Sequence, residues 1–404
     1  MLLDDLKNEI CRNIDAMRAA LVAVSRDIHA HPELAFQEHY AHDLLTASLR
    51  DAGLKVTPGA YGLATAFEAE FGADSGPHVA LLAEYDALPG IGHACGHNLI
   101  ATSALGAALA LHGIAAKLPG KVRLLGTPAE EGGGGKELMA RQGAFAGVDA
   151  AMMIHPAGVN LATMRCIAIS MVTVSYHGVS SHASAMPERG VNALDALITA
   201  YNAIAMLRQH IRQTERIHGI ITKGGDAPNI VPEFASGNFC VRAKNMKDLN
   251  ALKPRVLACF EAGARATGAT LKVEWGDVDY LDLNTNWPIA DRFQANAESL
   301  GREFLALEKL PASAAGSTDM GNVSHLAPSI HPMLACAPPH ISIHNPEFAR
   351  YAGSESGDQT AIDGAKTLAM TVLDYLFDGN LRTESRQAFE KSRQIATIEQ
   401  ASSI

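Results

Sequence analysis

"HVALLAEYDALPG", residues 78–90, decides the fold class. Its first half is an unbroken apolar run without polar alternation, the pattern of a strand buried on both faces, and it stops abruptly at the acids Glu84 and Asp86. Two later stretches share this layout. "KVRLLGTPAEEGGGG" (121–135) ends in Glu130 and Glu131, and "VDAAMMIHP" (148–156) ends at His155. Helical stretches separate the three, "NLIATSALGAALALHGIAA" (98–116) and "GKELMARQGAF" (135–145). Strands alternating with helices imply an α/β fold with a mainly parallel sheet, whose sites form at the carboxyl ends of the strands. The three polar clusters are therefore expected on one edge.

From about residue 168 the rhythm changes. A strand "SMVTVSYHG", a helix "NALDALITAYNAIAMLRQHI", two strands "IHGIITKGG" and "SGNFCVRAK", a helix "MKDLNALKPRVLACFEAGARAT" and a strand "TLKVEWGDV" follow in turn. That βαββαβ order predicts a ferredoxin-like domain, inserted at 168–278 into a larger domain made of 1–167 and 279–404. The later stretch "SIHPMLACAPPHISIHNPEF" (329–348) returns to the first style, an apolar run ending in histidines. The helix "DQTAIDGAKTLAMTVLDYLF" (358–377) is apolar on one face and should pack on the larger domain.

The 404 residues are 48% hydrophobic and 19% charged, a globular composition. With a net charge of −10 and scattered basic residues, nothing offers the basic stripe that a nucleic acid requires. The N-terminal "MLLDDLKNEICRNIDAM" lacks the basic start and apolar core of a signal peptide, and no stretch reaches the roughly 20 apolar residues of a membrane span. A cytoplasmic location and no membrane partner are the resulting expectations. Six cysteines without a C-x-x-C pair argue against a disulfide framework and a zinc ribbon.

Cys95 stands apart from the other five because it sits in "GHACGHN" (92–98), between His93 and His97. Thiolate, imidazole and carboxylate are ligand types of zinc and related metals, and Cys95, His97, Glu131 and His155 all follow expected strands of one sheet. Together they favour a metal site. A Cys95 nucleophile activated by His97 is the rival, but it leaves Glu130, Glu131 and His155 idle. Glu130-Glu131 at a strand end reads as one metal ligand beside one free base. "GGGGK" is not a phosphate loop, because Glu130 and Glu137 stand where that motif needs glycine and a hydroxyl residue. No G-x-S-x-G elbow supports a serine hydrolase.

The blocks "RDIHAHPELAFQE" (26–38), "GHACGHN", "TPAEEGGGGK", "IHP" (154–156), "HGVSSHASAMPERGVNA" (177–193), "GGDAPNIVPE" (224–233), "GSTDMGNVS" (316–324) and "SIHNPEF" (342–348) run through nearly the whole chain. In them the sequence resembles the dinuclear metal-dependent aminoacylases and carboxypeptidases. Within these it is most similar to the amidohydrolase branch of aminobenzoyl-glutamate hydrolases, auxin-conjugate hydrolases and β-alanyl dipeptidases. The resemblance implies that Cys95, His97, Glu131, His155 and His344 hold two divalent metal ions, manganese or zinc, with cobalt a third candidate. It makes Glu130 the general base. His182 would reach from the inserted lid of one subunit into the site of its partner in a homodimer, and Asn229 and Arg242 of the lid would hold the carboxylate of a small substrate. The wider family has His-x-Asp where this chain reads Glu84-Tyr85-Asp86; the Cys-x-His pair is expected to take over that ligation, leaving Asp86 to orient a ligand or brace the loop. His93 receives no ligand role.

The implied activity is hydrolysis of an N-acyl amino acid, an aminobenzoyl-glutamate-like conjugate or a dipeptide. Two alternatives stay open: hydrolytic deamination of an aromatic or carbamoyl-type amine at the same site, and a catalytically dead ligand-binding protein, against which the intact Glu130 argues. Asn229 follows one lid strand and Arg242 closes the next, so a hairpin-like turn is expected to bring both side chains to one face.

Overall fold

The computed structural model describes residues 3–311 and 315–401, the last seven as backbone only. The chain divides into two compact units, Met1–Arg165 with Leu283–Ile404, and Cys166–Asp282. Two helices lead, α1 (Leu3–Ala30) and α2 (His39–Asp51), followed by β1 (Val56–Pro58), β2 (Phe67–Gly72) and β3 (His78–Ala83). Then come α3 (His97–His112), β4 (Lys121–Gly126), α4 (Gly135–Arg141), β5 (Ala150–Met152) and β6 (His155–Ala157). The second unit supplies β7 (Ala168–His177), α5 (Ala193–Leu207), β8 (Arg216–Lys223), β9 (Phe234–Ala243), α6 (Met246–Thr267) and β10 (Thr270–Trp275). The chain returns through α7 (Trp287–Ser299), α8 (Met320–Ser324), β11 (Ser329–Ile330), β12 (Met333–Ala335), α9 (Pro346–Ala352), α10 (Glu355–Phe377) and α11 (Gly379–Ala401).

The first unit is built on a six-stranded mixed sheet ordered β1-β2-β4-β3-β5-β11. The strands β4, β3, β5 and β11 run parallel, while β2 and β1 add an antiparallel edge. Val79 to Ala83 are all buried, which is why β3 carries no polar alternation. The helix α3 is buried on nearly every side and packs between α1 and α10; its alanines let those neighbours approach. From β3 the chain first moves to β4 on one side, then crosses back to β5 on the other. That reversal opens a crevice beyond the carboxyl end of β3, the place where such sheets bind ligands. A small parallel pair, β6 with β12, starts at His155 and extends the platform.

The second unit is a four-stranded antiparallel sheet ordered β10-β7-β9-β8, with α5 and α6 packed against it. Along β7 the buried residues Val172, Val174 and Tyr176 alternate with outward ones, so one face of the sheet meets Leu197, Val256 and Phe260 of the helices. Asn192 and Asn245 cap the two helices by accepting backbone N–H bonds. Among the described residues no helix is long and apolar enough to cross a membrane.

Candidate metal centre

The loop after β3 and the start of α3 carry Asp86, Cys95 and His97. Gly96 lies between the two ligands with φ +80°, and a Cβ there would meet Pro156 Cγ at 2.5 Å. Only glycine lets this loop lie against the segment that carries His155. The loop after β4 presents Glu130 and Glu131, β6 opens with His155, and the segment before α9 presents His344, whose φ of +61° is unusual for a side chain of its size. Among the described residues three overlapping trios have ligand atoms within 4.8 Å of one another: Cys95, His97 and His155; Cys95, Glu131 and His344; His97, Glu130 and Glu131. The structure therefore brings together all five expected ligands and the expected base.

The individual spacings suit shared cations. Cys95 Sγ lies 3.3 Å from His155 Nε2, His344 Nε2 lies 3.2 Å from Glu131 Oε1, and His97 Nε2 lies 3.8 Å from the same oxygen. Donor atoms bound to one ion at ordinary lengths stand about 3.0–3.8 Å apart. Each imidazole is oriented by its other nitrogen. His97 Nδ1 is 3.0 Å from Asp86 Oδ1, and His155 Nδ1 is 2.8 Å from the Pro156 carbonyl, so in each ring Nε2 is left to face the site. Burial, helped by His97, lowers the His155 pKa to about 4, which keeps the ring neutral as a ligand must be.

Asp86 does more than support one ring. Its second oxygen accepts the Glu131 backbone N–H at 2.9 Å, so a single fully buried carboxylate fixes ligands from two strand ends. Burial and the carboxylates of Glu84, Glu131 and Asp319 raise the Glu130 pKa well above the usual range, giving this acid an enhanced affinity for protons. Burial, and then Glu131, also pushes the Cys95 thiol well upward, the opposite of the environment that activates a nucleophilic cysteine. His93 anchors the loop instead of facing the ligands: its Nε2 lies 3.1 Å from the Ile28 carbonyl and its ring stacks on His29.

Sequence reasoning did not single out Glu38, Lys136, Asp319 or His331. Lys136 is fully buried, with Nζ 2.6 Å from Asp319 Oδ1 and 2.5 Å from Glu84 Oε1. The His331 ring packs 5.2 Å from that of His155. Glu38 is also fully buried and accepts the Ala129 backbone N–H at 2.8 Å and the Thr65 hydroxyl at 2.9 Å. Ala129 has φ +60° and directly precedes Glu130, so Glu38 holds a strained turn that aims the base. The one signal for it was its place in the block at 26–38. Replacing Glu38 with alanine is expected to cost about 2–3 kcal/mol in unfolding free energy and to lower kcat, because a buried N–H and a hydroxyl lose their acceptor. Glutamine should recover much of both losses. Equal thermal melts and equal kcat for wild type and Glu38→Ala would show that the turn holds without it.

His182, Asn229 and Arg242 belong to the second unit. His182 and Asn229 are neighbours there: the Asn229 carbonyl accepts the Ala183 N–H at 3.0 Å, and His182 bridges to Ile230. Both side chains are exposed. The His182 Nδ1 accepts the Ala185 and Ser184 backbone N–H groups at 3.2 and 3.3 Å, so Nε2 carries the outward N–H. Arg242 is elsewhere. It pairs with Arg216 and Ile169, at the end of the sheet where the chain enters and leaves the unit, whereas Asn229 lies in the turn beyond Lys223 and Phe234. The expectation that a hairpin turn brings Asn229 and Arg242 to one face is therefore corrected. Phe234 to Arg242 spans about 26 Å of extended strand, and antiparallel register sets the two residues at opposite ends.

The model of Peptidase family M20/M25/M40 matches residues 80–371, a span that holds every residue of the metal centre and of the second unit. The chain belongs to that family. It is 42% identical over 402 residues to the Xaa-Arg dipeptidase of Mus musculus, covering 96% of this chain and 93% of that protein. It is 29% identical over 450 residues to a p-aminobenzoyl-glutamate hydrolase polypeptide of Escherichia coli K12, covering 94% and 93%. A Bacillus subtilis crystal structure described as a dinuclear metal-binding peptidase of the M20 family has the same fold, with a TM-score of 0.67 at 21% identity over 90% of this chain and 99% of that one. The protein is thus a hydrolase acting on amide bonds.

Proposed function

We propose that this M20 hydrolase cleaves the amide bond of N-acyl amino acids, aminobenzoyl-glutamate-like conjugates or dipeptides that carry a free carboxylate. The observation that carries the reading is the convergence of Cys95, His97, Glu130, Glu131, His155 and His344 on one crevice of the first unit. Two divalent ions held by Cys95, His97, Glu131, His155 and His344 would polarise the scissile carbonyl and lower the pKa of water. Zinc suits the thiolate and manganese or cobalt suits the carboxylate and imidazoles. Glu130 takes the proton from the attacking water and returns it to the departing amine. The outward Nε2–H of His182 donates to the developing oxyanion. Arg242 offers its guanidinium fork to the substrate carboxylate, with Asn229 as a second contact.

The second unit, Cys166–Asp282 against the 168–278 expected from sequence, serves in this reading as a ferredoxin-like lid and dimerisation domain. Its edge strand β8 has no neighbour on one side among the described residues and exposes Ile220 and Ile221, and α5 exposes Ile198 and Met206, with Met206 67% accessible. A strand edge with apolar side chains is a pairing surface that a protein must cover. In this reading His182 reaches from the lid of one subunit into the site of its partner in a homodimer. Mixing His182→Ala with Glu130→Gln subunits, each inactive alone, is expected to restore activity in the hybrid, whose one site carries both native residues. Subunit exchange verified by mass spectrometry without any recovery would count against the shared site. A cytoplasmic location completes the reading, to be checked by fractionation.

The test of substrate class is a hydrolysis screen over N-acyl amino acids, aminobenzoyl-glutamate, β-alanyl dipeptides and Xaa-Arg dipeptides with Mn²⁺, Zn²⁺ or Co²⁺. The 42% identity to an Xaa-Arg dipeptidase puts dipeptides with a C-terminal arginine first. Release of a carboxylic acid and an amino acid supports the proposal. Turnover confined to ammonia release from aromatic or carbamoyl amines would replace it with deamination.

A further inference from the structure

We propose that Glu84 belongs to the metal-holding set, and that Lys136, clamped by Asp319, fixes its carboxylate there. The inference rests on the reading that this crevice holds divalent ions. Glu84 follows directly on β3 and is fully buried. One oxygen, Oε1, lies 2.5 Å from Lys136 Nζ. The other, Oε2, lies 3.6 Å from His97 Nε2. Neither Oε2 nor His97 Nε2 has a hydrogen-bond partner among the described residues. His97 Nδ1 is engaged by Asp86, which leaves Nε2 and Glu84 Oε2 as two buried polar atoms that face each other without a hydrogen bond, an arrangement that a cation shared between them would satisfy. Their separation falls among the other donor spacings of the crevice, 3.2–3.8 Å.

The lysine explains how the carboxylate is kept in place. Asp319 grips Lys136 twice, with Oδ1 at 2.6 Å from Nζ and Oδ2 accepting the backbone N–H at 2.9 Å. Head and root of the side chain are both fixed, and Nζ in turn pins Glu84 Oε1, leaving Oε2 a single direction. Burying three charges is a poor way to gain stability, since removing an ion from water costs several kcal/mol that its partners only partly return. Orientation of a ligand is the function such buried partners serve at metal sites. Lys136 is thus a positioning residue, and the end of "GGGGK" acquires a role unrelated to phosphate.

Two variants separate ligation from mere charge. Glu84→Gln removes the anionic oxygen, whereas Glu84→Asp keeps the charge and withdraws the carboxylate by one methylene. Metal-free protein would be titrated with Co²⁺, following the visible absorption bands, the stoichiometry by elemental analysis and the thermal midpoint before metal is added. Wild type is expected to take up two ions. Glu84→Asp should bind at least one of them about 10- to 100-fold more weakly, with shifted bands and a metal-free midpoint close to wild type. Glu84→Gln should lose at least as much, and if it does not fold the aspartate variant decides. Glu84→Asp binding two Co²⁺ ions with wild-type affinity and spectrum overturns the inference, whatever its stability. Failure of wild type to bind any ion overturns the underlying reading as well, so the two failures are distinguishable.

Discussion

Glu130→Gln is expected to lower kcat by about 10²- to 10⁴-fold while both ions stay bound, the loss that follows removal of a positioned general base. The geometry makes this substitution informative. Glu130 shares a trio with His97 and Glu131 within 4.8 Å, and in the proposed reading the other five residues would hold the ions without it. It is 7% accessible, and its burial beside other carboxylates raises its proton affinity, as a group that takes a proton from water requires. Glutamine preserves shape and hydrogen-bond acceptance but cannot accept that proton at neutral pH. KM should change little, because the lost interaction arises only as the proton moves. Elemental analysis of the variant, with steady-state kinetics on a substrate from the screen, checks both halves. A kcat within a few-fold of wild type would reassign the base, and loss of metal would make Glu130 a ligand.

Removal of the ions by a chelator is expected to abolish turnover and to lower thermal stability, with both restored by Mn²⁺, Zn²⁺ or Co²⁺. The physical reason lies in the crowding of the crevice. Glu84, Asp86 and Glu130 are buried around His97 beside Glu131, and bound cations would offset the repulsion among these carboxylates. Ligand binding to the native state alone stabilises it by about 2.7 kcal/mol per ion at a free concentration one hundred times Kd. Cys95→Ala should reproduce part of the effect, reducing metal content and the thermal gain on adding metal. Full activity in protein shown by elemental analysis to be metal-free would refute the metal-dependent reading, and full metal content in Cys95→Ala would remove the thiolate from the ligand set.

Much of this architecture was legible in local sequence, and the reason differs from element to element. The strand β3 announced itself because a strand buried on both faces must be apolar at successive positions, and β7 because a half-buried strand must alternate. The ligands were legible because Cys95, His97, Glu131 and His155 stand just past those runs, where a parallel sheet exposes its strand ends. Residues that act through a partner gave no comparable signal. Lys136 in a glycine-rich stretch looks like a solvated loop residue until folding places Glu84 and Asp319 around it, 52 residues upstream and 183 downstream.

The sequence by itself determined which segments become buried strands and which chemical groups end them, since both follow from hydrophobic periodicity and side-chain type over a few residues. Only the tertiary structure decided which of those groups meet. Strand order set Asp86 against both His97 and the Glu131 backbone, and packing of α2 against the sheet set Glu38 beneath Ala129. Antiparallel register sent Arg242 to the far end of its strand from Asn229. Pairing between distant segments is fixed by the direction and register of whole elements, and a short stretch of residues carries no record of what will lie across from it.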